Sequence, residues 1–233
     1  MKTIILLSVA VCLVIATVIA ESNSKQQPWM NKNLDPKNRA RALMNQMTAE
    51  EKKGMLYGYG CQSKEWPYVG NVAAIPRLNI PSLKYNDGPQ GFRDDAIPGS
   101  TTAWPSGLTA AASWQRETLQ AWGEGMGKEF YLKGANVQLG PGVCVARIPR
   151  NGRNFEYLSG EDPFLGYVLV QDAINGIQSQ QVVANAKHYV NNNQETNRGS
   201  VSENVDERTR FEMYYPPFVG AIEANVGSMM CSY

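Results

Sequence analysis

Apolar and polar residues follow two patterns along the chain, one typical of amphipathic helices and one typical of short buried strands. A helix is predicted after Asp35-Pro36, an acidic N-cap followed by proline, and a second helix after the capping box from Thr48 to Glu51. Further helix starts are predicted at Ser113, Asp162 and Asp206, the last helix being interrupted at Pro216-Pro217. Strand candidates occupy residues 81–85, 136–139, 181–186 and 227–231, with another small apolar run at 108–112.

This alternation of strands and helices predicts parallel βαβ units and an α/β fold with about five strands, because parallel neighbours need long crossover connections. Periodicity alone does not separate a doubly wound sheet from a barrel. Polar residues that are candidates for a site fall at, or just beyond, the C-terminal ends of candidate strands, and these are Asp87, Arg153, Lys187-His188 and Tyr233. Both architectures build their binding sites at that edge.

The composition is that of an ordinary globular chain. The 233 residues are 43% hydrophobic, and 22 Lys and Arg against 21 Asp and Glu give a net charge of +1. This balance implies no nucleic-acid partner. A complete β/α barrel typically needs about 250 residues, so the length would barely accommodate one.

The N-terminus carries an apolar run from residue 4 to residue 20 that closes on Val18-Ile19-Ala20. Residues 1–20 are therefore predicted to be a secretory signal peptide, the alternative being an uncleaved membrane anchor. Cleavage would leave Glu21 as the first residue, a polar extended lead-in over residues 21–33, and no membrane association. The expected location is extracellular, or alternatively a lysosome-like or vacuolar compartment.

Cysteines and glycines give little support to metal, redox or cofactor chemistry. Cys61, Cys144 and Cys231 are far apart and odd in number, which is not a disulfide framework, although one pair could form in an oxidising compartment. A single histidine does not provide a zinc cluster. The glycines at 123, 125 and 127 lie inside a helical pattern, so we predict close helix packing and no dinucleotide or other cofactor.

Three segments could carry a site, and each also has a plain structural explanation. Asp87 lies in a turn rich in glycine and proline, which would hold its carboxylate stiffly but is also what an ordinary turn contains. Arg153 could simply pair with a neighbouring acid. Lys187 and His188 follow an apolar strand, and the alternatives are a solvated strand end or a buried histidine that donates to a carbonyl.

Taken together and in this order, five motifs resemble glycoside hydrolase family 3, specifically its β-glucosidases, from about Leu34 onward. The motifs are Met47-Thr48-Ala49-Glu50-Glu51-Lys52, Asn86-Asp87-Gly88-Pro89-x-Gly91-x-Arg93, Gly152-Arg153-Asn154-x-Glu156, Ala186-Lys187-His188-Tyr189-x-x-Asn192 and Met230-Cys231-Ser232-Tyr233. The resemblance implies that residues 34–233 are part of the N-terminal (β/α)8 TIM-like barrel domain, as far as about its fifth strand.

The resemblance also implies roles for individual residues. Asp87 would accept hydrogen bonds from hydroxyls at the non-reducing end of a sugar, and Arg153, Lys187 and His188 would donate to its ring hydroxyls. Tyr233 would lie close to the nucleophile, and Met230 would offer an apolar wall. The family's nucleophile is an Asp in a Ser-Asp-Trp motif on the next strand, and its acid/base Glu lies in a following α/β sandwich domain. Both are expected beyond residue 233, so no catalytic residue is assigned within this chain.

The function implied is a retaining β-glucosidase that releases terminal glucose from β-glucosides or cello-oligosaccharides in polysaccharide catabolism. Within the family, a β-xylosidase or exo-glucanase is the alternative. Another branch acts on N-acetylglucosaminides through a loop histidine, and residues 191–195 contain no histidine. Outside the enzyme class, the alternatives are a truncated, non-catalytic sugar-binding chain and, ranked last, a periplasmic sugar-binding module.

Overall fold

The computed structural model describes residues 27–61, 63, 68–95, 97 and 99–233. The predicted signal peptide and the lead-in as far as residue 26 lie outside the described residues. The rest divides into two compact units, one formed by the chain up to Tyr57 together with Ala73–Pro81, and one formed by Gly58–Val72 and Ser82–Tyr233.

The first unit contains the two helices predicted from their capping residues. Helix α1 spans Pro36–Gln46 and helix α2 spans Ala49–Gly54. The carboxylate of Asp35 accepts a hydrogen bond from the backbone N–H of Asn38 at 3.0 Å. Thr48 and Glu51 exchange the two reciprocal hydrogen bonds of a capping box, at 3.2 and 2.8 Å. Both predicted helix starts are therefore confirmed.

The lead-in is not extended where the structure describes it. Pro28–Met30 is a 3-10 helix, and a second 3-10 helix covers Pro76–Leu78. The Trp29 side chain is buried and donates from Nε1 to the carbonyl of Leu78 at 3.1 Å. Buried Met47 and Ile75 complete this small core. The prediction of an extended segment is wrong here because one buried tryptophan anchors an otherwise polar stretch.

The second unit is built on a five-stranded sheet with strand order β1-β2-β3-β4-β5. The strands are β1 (Gly70–Val72), β2 (Leu83–Asp87), β3 (Val137–Leu139), β4 (Val183–Tyr189) and β5 (Ser228–Cys231). Strand β1 pairs antiparallel with β2, and all later pairs are parallel. The spatial order follows the chain without the reversal of a doubly wound sheet, which favours barrel topology.

Strand β1 was not predicted, because three residues beginning with Gly and Asn show no apolar alternation. The apolar run at residues 108–112 is helical, since helix α3 covers Gly107–Ala111. Five strands are thus present among the described residues, but β1, which has three residues, lies where no strand signal is seen in the sequence.

Helices connect the parallel strands. They are α4 (Arg116–Leu132), α5 (Pro163–Ser179), α6 (Glu207–Thr209), which continues as a π-helical turn over Arg210–Tyr214, and α7 (Pro216–Glu223). Asp162 and Asp206 cap α5 and α6 as predicted, each accepting a backbone N–H. Ser113 does not cap α4, because its Oγ donates to the carbonyl of Ala110 at 2.7 Å and so closes α3, and α4 begins at Arg116.

Glycines let helices α4 and α5 approach closely, as predicted. A Cβ atom on Gly123 would lie 2.4 Å from the carbonyl oxygen of Ala173, and one on Gly127 would lie 2.8 Å from that of Ile177. From the other side, a Cβ on Gly176 would lie 2.3 Å from the carbonyl oxygen of Gln120. The backbones of the two helices are therefore in contact. In the part of the chain described, no helix has both the length and the apolar character needed to cross a membrane.

Candidate active site

The C-terminal end of strand β2 places Asp87 in a rigid turn. Arg93 donates its backbone N–H to the carbonyl of Asp87 at 3.0 Å, and the Asn86 amide donates to the carbonyl of Arg93 at 2.8 Å. Gly88 has a φ of +146°, and a Cβ there would lie 1.7 Å from the carbonyl oxygen of Gly91. The glycines are thus required by the turn, which holds a partly exposed carboxylate at the sheet edge.

Strand β4 brings Lys187 to the same edge, 100 positions further along the chain. The residue is 2% exposed, and its ammonium lies 3.2 Å from Oδ1 of Asp87 and 3.3 Å from Oε1 of Glu156. Burying a cation is costly unless anions compensate it, and here two carboxylates do so. The plain alternative of a solvated strand end is therefore wrong for Lys187.

Arg153 and Glu156 form a bidentate pair on the loop between β3 and α5. Nε and Nη2 of Arg153 each donate to one carboxylate oxygen of Glu156 at 2.7 Å. Burial opposes the charge of Arg153, but the hydrogen bonds and negative charge of Glu156 outweigh this effect and raise the pKa of Arg153. Arg153 does pair with a neighbouring acid, and that pair faces Lys187 rather than solvent.

Acidic and basic side chains alternate from Asp87 through Lys187 and Glu156 to Arg153, and this series of ion pairs continues into the loop after β4. Glu195 accepts from Arg198 at 2.8 Å and lies 3.9 Å from Arg153. The guanidinium of Arg198 lies 4.0 Å from the ring centroid of Tyr233, a cation–π distance. Tyr233 in turn packs against the ring of His188, with 5.4 Å between the ring centroids. The contacts therefore join five of the predicted site residues into one network, in which Glu156, Glu195 and Arg198 are the connecting residues: Asp87, Arg153, Lys187, His188 and Tyr233.

His188 is buried, with an exposed fraction of 1%. Its Nδ1 lies 3.1 Å from the hydroxyl of Tyr157 and 3.4 Å from Nδ2 of Asn192. Burial, together with the positive charges of Lys187, Arg153 and Arg198, lowers the pKa of His188 to about 3. The imidazole is consequently neutral at physiological pH and can act as one donor and one acceptor.

Buried cationic donors and a half-exposed carboxylate at the C-terminal edge of a parallel sheet suit a ligand with several hydroxyl groups. The model for the glycosyl hydrolase family 3 N terminal domain matches residues 68–233. The chain belongs to glycosyl hydrolase family 3. The family resemblance expected from the five motifs is confirmed.

Relatives in family 3 include probable β-glucosidase A of Emericella nidulans, which is 40% identical over 223 residues covering 88% of this chain and 25% of the relative. β-Glucosidase 1 of Aspergillus aculeatus is also 40% identical, with the same coverage of both chains. The chain thus spans about a quarter of the length of these curated relatives.

Solved family 3 structures superpose closely on the chain. DesR, a β-glucosidase from Streptomyces venezuelae in complex with D-glucose, has a TM-score of 0.78 and 35% identity, covering 84% of this chain and 24% of that chain. A β-D-glucoside glucohydrolase from Trichoderma reesei has a TM-score of 0.75 and 36% identity, covering 90% and 28%. The predicted α/β fold is confirmed, since the sheet matches the N-terminal TIM-like portion of the family 3 barrel.

Two predicted site residues lie at the last described strand. Met230 is half-buried on β5 and pairs in register with Lys187, whereas Tyr233 follows the strand and is 60% exposed. Their roles as an apolar wall and as a neighbour of the nucleophile stay predictions for this family 3 chain.

The cysteines are free within the described residues, and burial raises the pKa of the Cys144 thiol to about 11.

Several residues of the candidate site have no role that we predicted from the sequence. Glu156, Glu195 and Arg198 join the cationic donors into one network, and Tyr157 and Asn192 contact His188. One signal was present, because Arg153 and Glu156, like Glu195 and Arg198, are spaced three apart with opposite charges. Such spacing is common on solvated surfaces, so it does not by itself indicate a buried network.

We predict that His188 makes stability fall in mildly acidic solution. The unfolded chain binds a proton at this histidine near its ordinary pKa of 6.5, and the folded chain only near 3. The stabilising contribution of neutral His188 is therefore fully present above pH 6.5 and is lost as pH falls toward 3, by up to about 1.4 kcal/mol per pH unit.

Urea unfolding between pH 7 and pH 5 measures this slope, with His188→Asn as the comparison. The chain has one histidine, so the variant lacks the titration while keeping every carboxyl group. As pH falls, the free energy of unfolding of the variant should decrease less steeply than that of the wild type, by up to about 1.4 kcal/mol per pH unit. Equal slopes in the two proteins would contradict a depressed histidine pKa.

Proposed function

We propose that the chain supplies the sugar-binding edge of a β-glucosidase-type glycoside hydrolase that releases terminal glucose from β-glucosides or cello-oligosaccharides with retention. The observation that carries this proposal is the position of Lys187, buried at the C-terminal edge of the sheet and held between Asp87 and Glu156. The two carboxylates hold the ammonium of Lys187 in place, and the Asp87 side chain is still exposed enough to contact a ligand.

The chemistry of a glucosyl ring matches these groups. Neighbouring hydroxyls on the ring can donate to one carboxylate while accepting from nearby cations, and charge-assisted hydrogen bonds of this kind are strong. Asp87 is the acceptor in our proposal because its side chain is 35% exposed, whereas that of Glu156 is 7% exposed. Lys187, Arg153 and His188 are the donors.

We further propose that both catalytic carboxyl groups come from outside this sequence. A retaining mechanism needs a nucleophilic carboxylate and a carboxylic acid roughly 5 Å apart. Glu156 accepts hydrogen bonds from Arg153 at both carboxylate oxygens and lies 3.3 Å from the ammonium of Lys187, so its carboxylate is fully engaged with cations. Glu195 is likewise paired with Arg198. The carboxylates of the cluster therefore hold donors in place rather than break bonds.

Binding of D-glucose tests the sugar site directly. We expect Asp87→Asn to weaken glucose binding about 10- to 100-fold, because it removes the charge from hydrogen bonds worth about 1.5–3 kcal/mol. Isothermal titration calorimetry of the 233-residue chain measures the affinity. Asp35→Asn is a matched control, since Asp35 is exposed, lies in the other compact unit and caps a helix that asparagine caps equally well.

The same titrations separate the alternatives. Preference for D-xylose over D-glucose would favour a β-xylosidase, since the proposal gives Asp87 a substrate with a terminal hydroxymethyl group. No binding of either sugar by the folded chain, or equal affinities for wild type and Asp87→Asn, would contradict the proposed site. If the protein is instead a non-catalytic sugar-binding chain, forms of it that are longer than 233 residues should also fail to hydrolyse β-glucosides.

We propose that the protein is exported through a leader formed by residues 1–20, which the apolar run ending at Val18-Ile19-Ala20 supports. The expected exported product begins at Glu21, and N-terminal sequencing of protein from the culture medium or from a lysosome-like or vacuolar fraction identifies it. Recovery of the product with Met1 still attached, in the membrane fraction, would support the membrane-anchor alternative.

A further inference from the structure

His188, Tyr157 and Asn192 form a small buried network beside the cationic donors. All three side chains are at most 2% exposed. Nδ2 of Asn192 donates to the hydroxyl oxygen of Tyr157 at 2.9 Å, and that hydroxyl lies 3.1 Å from Nδ1 of His188. Among the residues that the structure describes, the hydrogen-bond contacts of the His188 ring are made by Nδ1.

The number of hydrogens in this network decides which nitrogen of His188 is protonated. The Asn192 amide nitrogen has only hydrogens to offer, and it faces both the Tyr157 oxygen and Nδ1. Tyr157 accepts from Asn192, so its single hydroxyl hydrogen is free for Nδ1. Burial raises the pKa of Tyr157, which therefore keeps that hydrogen. A hydrogen on Nδ1 would face the N–H of Asn192 and would leave the buried Tyr157 hydroxyl hydrogen without an acceptor among its contacts in the described residues, so Nδ1 is the acceptor.

We propose that Tyr157 and Asn192 are positioning residues that hold His188 as its Nε2–H tautomer, so that Nε2 donates a hydrogen bond to a hydroxyl oxygen of the bound sugar. Arg153 and Lys187 can only donate, whereas a neutral imidazole could present either a donor or a lone pair. The tautomer therefore decides whether the third donor of the site exists. The part of this inference that concerns the sugar rests on the proposed function; the tautomer itself does not.

The chain is well suited to a direct test, because His188 is its only histidine. Long-range ¹H–¹⁵N NMR of the ¹⁵N-labelled chain without ligand should show an unprotonated Nδ1 and a protonated Nε2. Tyr157→Phe, which removes only a hydroxyl, should populate the other tautomer measurably. Asn192→Asp, which replaces a donor with an acceptor, should move the proton to Nδ1.

Titration with D-glucose links the tautomer to the sugar site. Tyr157→Phe should weaken glucose binding about 5- to 10-fold, the equivalent of about one hydrogen bond. Tyr131→Phe is the matched control, since Tyr131 is 55% exposed on helix α4, and it should change neither the NMR signals nor the affinity. Circular dichroism and the thermal transition of each variant verify that it is folded.

A protonated Nδ1 in the wild-type chain would overturn the proposal, as would an averaged imidazole spectrum of the kind an unfolded chain gives. An unchanged tautomer in folded Tyr157→Phe would show that Tyr157 does not position the ring. If the tautomer behaves as expected but D-glucose does not bind, the proposed function fails while the assignment of Tyr157 and Asn192 stands.

Discussion

Glu156→Gln is expected to destabilise the chain by about 3–5 kcal/mol, the usual cost of removing one partner from a buried ion pair. Glu156 binds Arg153 through both carboxylate oxygens at 2.7 Å and lies 3.3 Å from Lys187. Glutamine keeps the size of the side chain but cancels its charge, so two largely buried cations lose their shared anion. Urea unfolding at pH 7 measures the loss of stability.

We also expect Glu156→Gln to abolish measurable D-glucose binding, because Arg153 and Lys187 are no longer held at the position that the sugar requires. Glu161→Gln is the matched control, since Glu161 is exposed in the loop just before helix α5, and its stability should stay within about 0.5 kcal/mol of the wild type. Equal stabilities of the two variants would mean that the ion pairs around Glu156 contribute little.

The 233-residue chain is expected to show no measurable turnover of an aryl β-glucoside while still binding D-glucose. Covalent catalysis requires a nucleophile, and in our proposal the carboxylates of the cluster are engaged with cations. Release of the aryl alcohol, followed by absorbance over several hours, measures turnover, and calorimetry under the same conditions verifies that the site is occupied.

An intact family 3 β-glucosidase, assayed in parallel, shows that the substrate and buffer support catalysis. Turnover by the purified chain that is lost on substituting Asp87, Glu156 or Glu195 would assign a catalytic role to that carboxylate and would contradict our assignment. Turnover that survives all three substitutions would place the catalytic groups elsewhere in the chain.

The elements with strong local signals could be predicted from the sequence. Asp35, Thr48, Asp162 and Asp206 cap helices as expected, because a capping interaction involves residues only two or three positions apart. Ser113 was misassigned because a serine near a helix boundary can bond to either side of it. Strand β1 could not be predicted, since its pairing with β2 is set by the fold and not by its own three residues.

The candidate site also contains residues that could be predicted from the sequence and residues that could not. Asp87 and Lys187 could be proposed because each ends a recognisable strand. Their contact depends on the register of β2, β3 and β4, which brings residues 100 positions apart to one edge. Beyond their i,i+3 pairs, Glu156 belongs to the site through its contact with Lys187 and Arg198 through its contact with Tyr233, and both partners are distant in sequence. The hydrogen-bond network around His188 likewise has no local signature.

The close approach of helices α4 and α5 bears on how the site meets its ligand. Helix α4 leads into β3 and α5 into β4, and the backbones of the two helices are in contact at their glycines. We expect this close packing to hold the loop that carries Arg153 and the strand that carries Lys187 in place relative to each other in the chain without its proposed sugar ligand. Such preorganisation means that little reorganisation energy is spent on binding, and more of the interaction energy is expressed as affinity.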